Sequence, residues 1–179
     1  MINKTPINTI RNKSTYSSPI PYPHTPENLK IVYVTKNNPF MKEALRLREY
    51  SGCFKQQTAA VIVKLNEIIG QGWNGPKDAP SKKLEGIETR LDNCPKDKQG
   101  FETGQGYHLC EEICGNARHA EQEAIADAKE HGFELEGADV YLAGHWWACK
   151  PCCDGMEKNG TSRLIMEKNA TKLYNPKFK

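Results

Sequence analysis

The sequence predicts an α/β fold, with a central sheet and helices packed on its faces. Two observations carry this. Short apolar runs at 59–63, 140–143 and 163–166 alternate with amphipathic stretches of helical spacing, the pattern of a sheet covered by helices. The 179 residues also suffice for one domain, since a chain of this size buries about 70% of its unfolded surface.

Residues 1–28 are rich in Asn, Ser, Thr and Pro and offer little apolar surface to bury, so an extended or disordered arm is expected there. A single domain is expected over 29–179. Residues 29–35 (LKIVYVT) read as a short strand or packed arm. Asn38-Pro39 gives a cap followed by proline in the first turn, and apolar residues continue at near-helical spacing to Gly52. Residues 59–63 (AAVIV) form a buried strand and 67–72 a second, with Asn66 at the hairpin turn. From 75 to 115 the pattern dissolves into Pro, Gly, Lys and Asp. So long a connection needs an organiser of its own. A helix is expected from Arg118 to about His131, ending at Gly132, then a strand at 140–143, a helix at 152–159 and a strand at 163–166.

Bulk properties exclude several classes. A net charge of +3 is too slight for a nucleic-acid footprint. No apolar run approaches the roughly 20 residues of a membrane span. The polar first residues do not read as an export signal, so the seven cysteines point to metal ligation and free thiols in a cytoplasmic setting.

Two short motifs carry chemistry. His119-Ala-Glu121 and Cys149-Lys-Pro-Cys152 each open a helix, in the order of the H-x-E and C-x-x-C signature of zinc deaminases acting on bases. His119, Cys149 and Cys152 supply three ligands and leave the fourth tetrahedral position open, as a catalytic zinc requires. Zinc lowers the pKa of a bound water to about 7, and Glu121, two residues from the ligand histidine, is placed to move protons. Cysteines three apart share a helical face, whereas adjacent Cys152 and Cys153 would point about 100° apart, so Cys153 is excluded as a ligand. A lone H-x-E is otherwise a helix surface and a lone C-x-x-C a redox pair; both together favour the deaminase.

With those residues in view, residues 38–168 resemble the deoxycytidylate deaminases. Ser51-Gly-Cys53 leading into 59–63 is similar to the family's first helix end and strand, and Gly72-Trp-Asn-Gly-Pro76 to its G-Y-N-G-x-P element. His119-Ala-Glu-Gln-Glu-Ala-Ile125 resembles its H-A-E-x-N-A-I helix. Cys149-Lys-Pro-Cys-Cys153 resembles its second ligand motif. Glu123 stands where the family usually has Asn, Ala148 where it has Pro, and the 144–148 connection is longer. The resemblance implies a three-layer cytidine deaminase-like fold with a mixed sheet of about five strands. It also implies a cytosine nucleotide substrate, foremost dCMP, one catalytic zinc, and a homo-oligomer, dimer or hexamer. In the family the Asn of the G-Y-N-G element bonds the sugar, which makes Asn74 the substrate-contact candidate; Asn74-Gly75 is equally a turn-forming pair. Other substrates consistent with the motifs are a free nucleoside, another base or a base in RNA, and a non-catalytic zinc module is the reading from a different class.

Further candidates are less constrained. Trp146 or Trp147 could stack on a base or belong to the core. Arg118 and Arg163 could meet a phosphate or be surface charges. Cys53, Cys94, Cys110 and Cys114 are expected to hold a second, structural zinc that organises the long loop, with His108 able to replace one of them.

Overall fold

The strand Ala59–Lys64 explains the layers. Five of its residues in a row are buried, so both faces need cover, and alternate side chains divide between two cores. Ala59, Val61 and Val63 pack with Met41, Ala44 and Leu47 on one side. Ala60 and Ile62 join Ala124, Ala128, Leu142 and Met156 on the other.

The computed structural model describes residues 24–75 and 94–178, apart from 103 and 117. Most of the expected arm and residues 76–93 of the long connection lie outside the described residues. The strands are β1 (Lys30–Val34), β2 (Ala59–Lys64), β3 (Glu67–Trp73), β4 (Asp139–Ala143) and β5 (Arg163–Glu167). They form one sheet in the order β1-β5-β4-β2-β3. β1, β5 and β4 run parallel, while β2 is antiparallel to both β4 and β3. This is the expected mixed sheet. The helices are α1 (Pro39–Leu47), α2 (Pro95–Lys98), α3 (Tyr107–Glu112), α4 (Ala120–Glu130), α5 (Lys150–Lys158) and α6 (Ala170–Tyr174). α1 covers one face of the sheet; α4 and α5 cover the other.

Asn38 starts α1 as expected: its Oδ1 accepts from the Phe40 and Met41 amides, each at 3.1 Å. Such a cap contributes about 1 kcal/mol. Met41, Ala44 and Leu47 recur every three residues and are buried. The helix then tightens into a 3₁₀ turn, Arg48–Tyr50, so the α-helix stops before the expected Gly52. The β2–β3 hairpin turns through Leu65 and Asn66, at φ 51° and 68°, the left-handed pair a two-residue type I′ turn needs.

α4 presents Ala120, Ala124 and Ala128, one turn apart, to the sheet. Opposite them β3 carries Gly70 and Gly72. A β-carbon at Gly72 would fall 2.6 Å from the Ala120 carbonyl oxygen, so only glycine lets the helix lie this close. The long connection contains two short helices, α2 and α3, that the sequence pattern did not announce. α6 was equally unannounced. Among the described residues no helix is long and apolar enough to cross a membrane.

Candidate active site

α4 and α5 begin at the same point beyond the end of β4. His119 is the N-cap of α4 and Cys149 the N-cap of α5, both in extended backbone, and Cys152 follows in the first turn of α5. His119 Nδ1 lies 3.3 Å from Cys149 Sγ and 3.5 Å from Cys152 Sγ. All three ligand atoms lie within 4.8 Å of one another. Zinc bonds of ordinary length in a tetrahedron set nitrogen and sulfur roughly 3.6 Å apart, so this triad fits the metal. The chemistry of the donors agrees, since an imidazole and two cysteine sulfurs are ligands that zinc takes, and a helix N-terminus favours the thiolate that binds it.

The electrostatics of the cluster are those of one proton shared by buried groups. The hydrogen bond with Cys152 holds Cys149 well below the usual thiol range, against burial and with help from His119. Burial, with Cys149 beside it, drives Cys152 the other way. The opposite directions describe a single thiol–thiolate pair. Glu121 lies beside it, 5% exposed. Burial first, then Cys149, pushes its carboxyl up to about 7. A carboxyl there can both take and give a proton near neutrality.

His119, Glu121 and Cys149 form the floor of a cavity of about 330 Å³, within the range of small-molecule sites, with Cys152 fully buried beside them. One wall is the segment joining the 3₁₀ turn to β2, with Gln56 and Thr58 facing in, and Asn74 behind it. Asn74 Oδ1 accepts from Ser51 Oγ at 2.6 Å and from the Thr58 amide at 2.9 Å, and Nδ2 donates to the Gln56 carbonyl at 2.7 Å. Its carbonyl oxygen is fully used in pinning residues 51–58, and its second amide hydrogen has no partner among the described residues.

A second wall is the 144–148 connection. His145 stacks on Trp146, with ring centroids 4.4 Å apart and planes 7° from parallel. Burial, with His119 adding to it, pushes His145 down to about 3, so its ring is neutral. Its Nδ1 accepts from the Trp147 amide at 3.3 Å, which places the ring hydrogen on Nε2. Trp146 lines the cavity with one face covered by His145; Trp147 is 8% exposed and belongs to the main core as well as the cavity edge.

The third wall comes from the long connection, with Cys94, Lys96, Tyr107 and Cys110; Cys53 of the 51–58 segment and Tyr174 of α6 adjoin it. Lys96 Nζ lies 3.7 Å from the centre of the Tyr107 ring. That ring in turn lies 5.2 Å from the imidazole of His119. Lys96, His145, Tyr107 and Tyr174 had no local signal in the sequence.

Two expectations fare differently. Cys53, Cys94, Cys110 and Cys114 do act on one another electrostatically. Yet among the described residues no second set of three or more such ligands closes to metal-binding separation. The same thiols, Cys110, Cys94 and Cys53, act electrostatically on the Lys96 ammonium. His108 packs edge-on against Phe101. Arg163 is no phosphate partner: it pairs with Asp139 across β5 and β4, at the strand ends remote from the cavity. Arg118 pairs with Glu123 at 3.5 Å. Cys153 is buried, with its thiol toward the Ala148 carbonyl, and takes no part in the triad.

A family model for the cytidine and deoxycytidylate deaminase zinc-binding region matches residues 34–168. Comparison with curated proteins gave no match. Among solved structures the chain is similar to the dCMP deaminase of cyanophage S-TIM5, at 20% identity and a TM-score of 0.47, over 75% of this chain and 85% of that one. It is also similar to the diaminohydroxyphosphoribosylaminopyrimidine deaminase/5-amino-6-(5-phosphoribosylamino)uracil reductase of Thermotoga maritima. That likeness is at 22% identity and a TM-score of 0.41, over 72% of this chain but only 29% of the bifunctional protein. With that zinc-binding region running through most of its length, the chain belongs to the cytidine and deoxycytidylate deaminase family of zinc-dependent hydrolytic deaminases.

Proposed function

We propose that this protein deaminates a cytosine nucleotide, converting dCMP and water to dUMP and ammonia. One observation supports it above the rest. A buried carboxyl, Glu121, lines the cavity floor with His119 and Cys149, two of the three side chains spaced as zinc ligands, the third being Cys152. His119, Cys149 and Cys152 would hold the ion. Zinc so held supplies Lewis-acid activation of water and neutralises developing negative charge.

The remaining work falls to the chain. As oxygen adds at C4 of the cytosine ring, Glu121 accepts the water's proton and returns it to the ring nitrogen. It then passes the second proton to the amine, so that the carbon–nitrogen bond breaks with ammonia as the leaving group. His145 offers an Nε2 hydrogen at the second wall, and the remaining amide hydrogen of Asn74 is available to a sugar hydroxyl. The nucleotide, in preference to other substrates, is supported by the resemblance of Gly72–Pro76 and of the doubled cysteine to the deoxycytidylate deaminases.

Ammonia release from a panel of cytosine, cytidine, deoxycytidine, CMP, dCMP and guanine tests the proposal. The highest kcat/KM is expected for dCMP, with dUMP as product. Faster turnover of deoxycytidine would make it a nucleoside enzyme, and turnover of guanine alone would move it to another base. No ammonia from any of them, with zinc bound, would leave a non-catalytic zinc module.

A further inference from the structure

The third wall of the cavity is built around a cation that has no carboxylate partner among the described residues. Lys96 is 7% exposed, although it lies in the highly charged run Pro95-Lys-Asp-Lys98. The neighbouring carboxylate, Asp97, is already paired with Lys55. The groups that act most strongly on the Lys96 ammonium are Cys110, Lys55, Cys94 and Cys53. None of them is a carboxylate. A buried ammonium left without an anion is costly, and such a group in a cavity wall is a receptor for one.

Its position defines what the anion belongs to. Lys96 Nζ stands 3.7 Å from the Tyr107 ring, and that ring 5.2 Å from the His119 imidazole. Those two steps bound a distance comparable with the reach from the reacting carbon of a pyrimidine to its 5′-phosphate. The Tyr107 ring between them can lie against the sugar while its face holds the ammonium in place.

We propose that Lys96 is the phosphate receptor of the cavity and the residue that selects a nucleotide over its nucleoside. This deepens the proposed function and rests on it. A single charge-assisted contact to phosphate is worth about 10- to 100-fold in affinity.

The test is binding of the product pair dUMP and deoxyuridine to the whole chain by calorimetry, beside turnover of dCMP and deoxycytidine. Wild type is expected to favour dUMP about 10- to 100-fold, with inorganic phosphate competing against dUMP and not against deoxyuridine. Lys96→Met should bring the two ligands to near-equal affinity, leaving deoxyuridine binding and zinc content unchanged. KM for dCMP should rise in step. Lys96→Arg should restore part of the preference, which a purely structural role of the side chain would not produce. A folded Lys96→Met protein that keeps the wild-type preference overturns the assignment while leaving dCMP deamination standing. Loss of zinc in Lys96→Met also overturns it, making the lysine a partner of metal-bound thiolates. If wild type neither binds dUMP nor deaminates dCMP, the nucleotide reading itself falls, and Lys96 with it.

Discussion

Replacing Gly72 with alanine should damage catalysis from the back of the sheet. The new methyl would meet the Ala124 amide nitrogen, and would lie 2.6 Å from both the Ala120 carbonyl oxygen and the Glu123 β-carbon. Ordinary contact begins at 3.4 Å, and helix backbone cannot rotate out of the way as a side-chain tip can. α4 must therefore shift, by roughly 1 Å. Two effects oppose one another. Alanine restricts the unfolded chain and so stabilises by about 0.4–1 kcal/mol, whereas overpacking costs about 1–3 kcal/mol. The steric cost wins, by up to about 2.6 kcal/mol net, which in a chain of this size corresponds to a fall of up to about 10 °C in Tm. The larger effect is on the reaction. Ala120 lies between His119 and Glu121, so the shift moves a metal ligand and the proton carrier together, and a misplacement of about 1 Å can cost 10²-fold in rate. Gly70→Ala is the control. Its methyl would meet Ala124 and Ala128, lower on the same helix, with the nearest atoms at 2.5 and 2.7 Å. It should lose comparable stability and far less turnover per bound zinc. Thermal unfolding, zinc content and kcat for both variants decide the matter. A Gly72→Ala protein with wild-type Tm and kcat refutes the close-packing argument, and equal kcat losses in the two variants refute the idea that position along α4 matters.

Three further outcomes are expected. Glu121→Ala should retain zinc and lose about 10²–10⁴-fold in kcat, as removal of a positioned proton carrier does; loss of zinc, or a near wild-type rate, would contradict its role. Cys149→Ser and Cys152→Ser should each weaken zinc binding by metal analysis, while Cys153→Ala, which alters only a buried thiol toward the Ala148 carbonyl, should keep metal and activity. Zinc quantification also tests Cys53, Cys94, Cys110 and Cys114 as a second set. Two zincs per chain, falling to one in Cys94→Ala, would show that the four close on metal, and one zinc per chain in fully active, reduced protein would show that they do not.

What the sequence made legible was local in kind. β2 could be read because an unbroken apolar run has few alternatives to a strand covered on both faces. The triad could be read because each half is compressed into three or four residues at a helix start. The helix boundary at His119 and the cap at Asn38 followed from side-chain chemistry that acts over a few bonds. Lys96 could not be read, because a lysine in Pro95-Lys-Asp-Lys98 looks like solvated charge until its burial and its place against Tyr107 are seen. His145 and Tyr174 reach the cavity from either side of β5 in the sequence, with no spacing to link them. Arg163 was a fair phosphate candidate on charge alone, and only the β4–β5 register reveals that Asp139 sits opposite it. Asn74 shows the limit from another side. Its turn-like and ligand-like readings competed in the sequence, yet the fold uses one amide for bracing the wall and leaves a single hydrogen over.

The three ligands and Glu121 stand at the starts of two helices that pack on the sheet, whereas every cavity residue besides these, Leu142 excepted, comes from a connection or from the C-terminal helix. On the proposed function, chemistry and selectivity would thus be carried by separate parts of the chain. The 53–58, 94–110 and 144–148 segments line the cavity and contain none of the three ligands. A lineage drifting from one amine-bearing ring to another need only rewrite those segments. An engineer seeking a new substrate has the same freedom, and would do well to graft connections while leaving Gly70, Gly72 and the alanines facing them untouched.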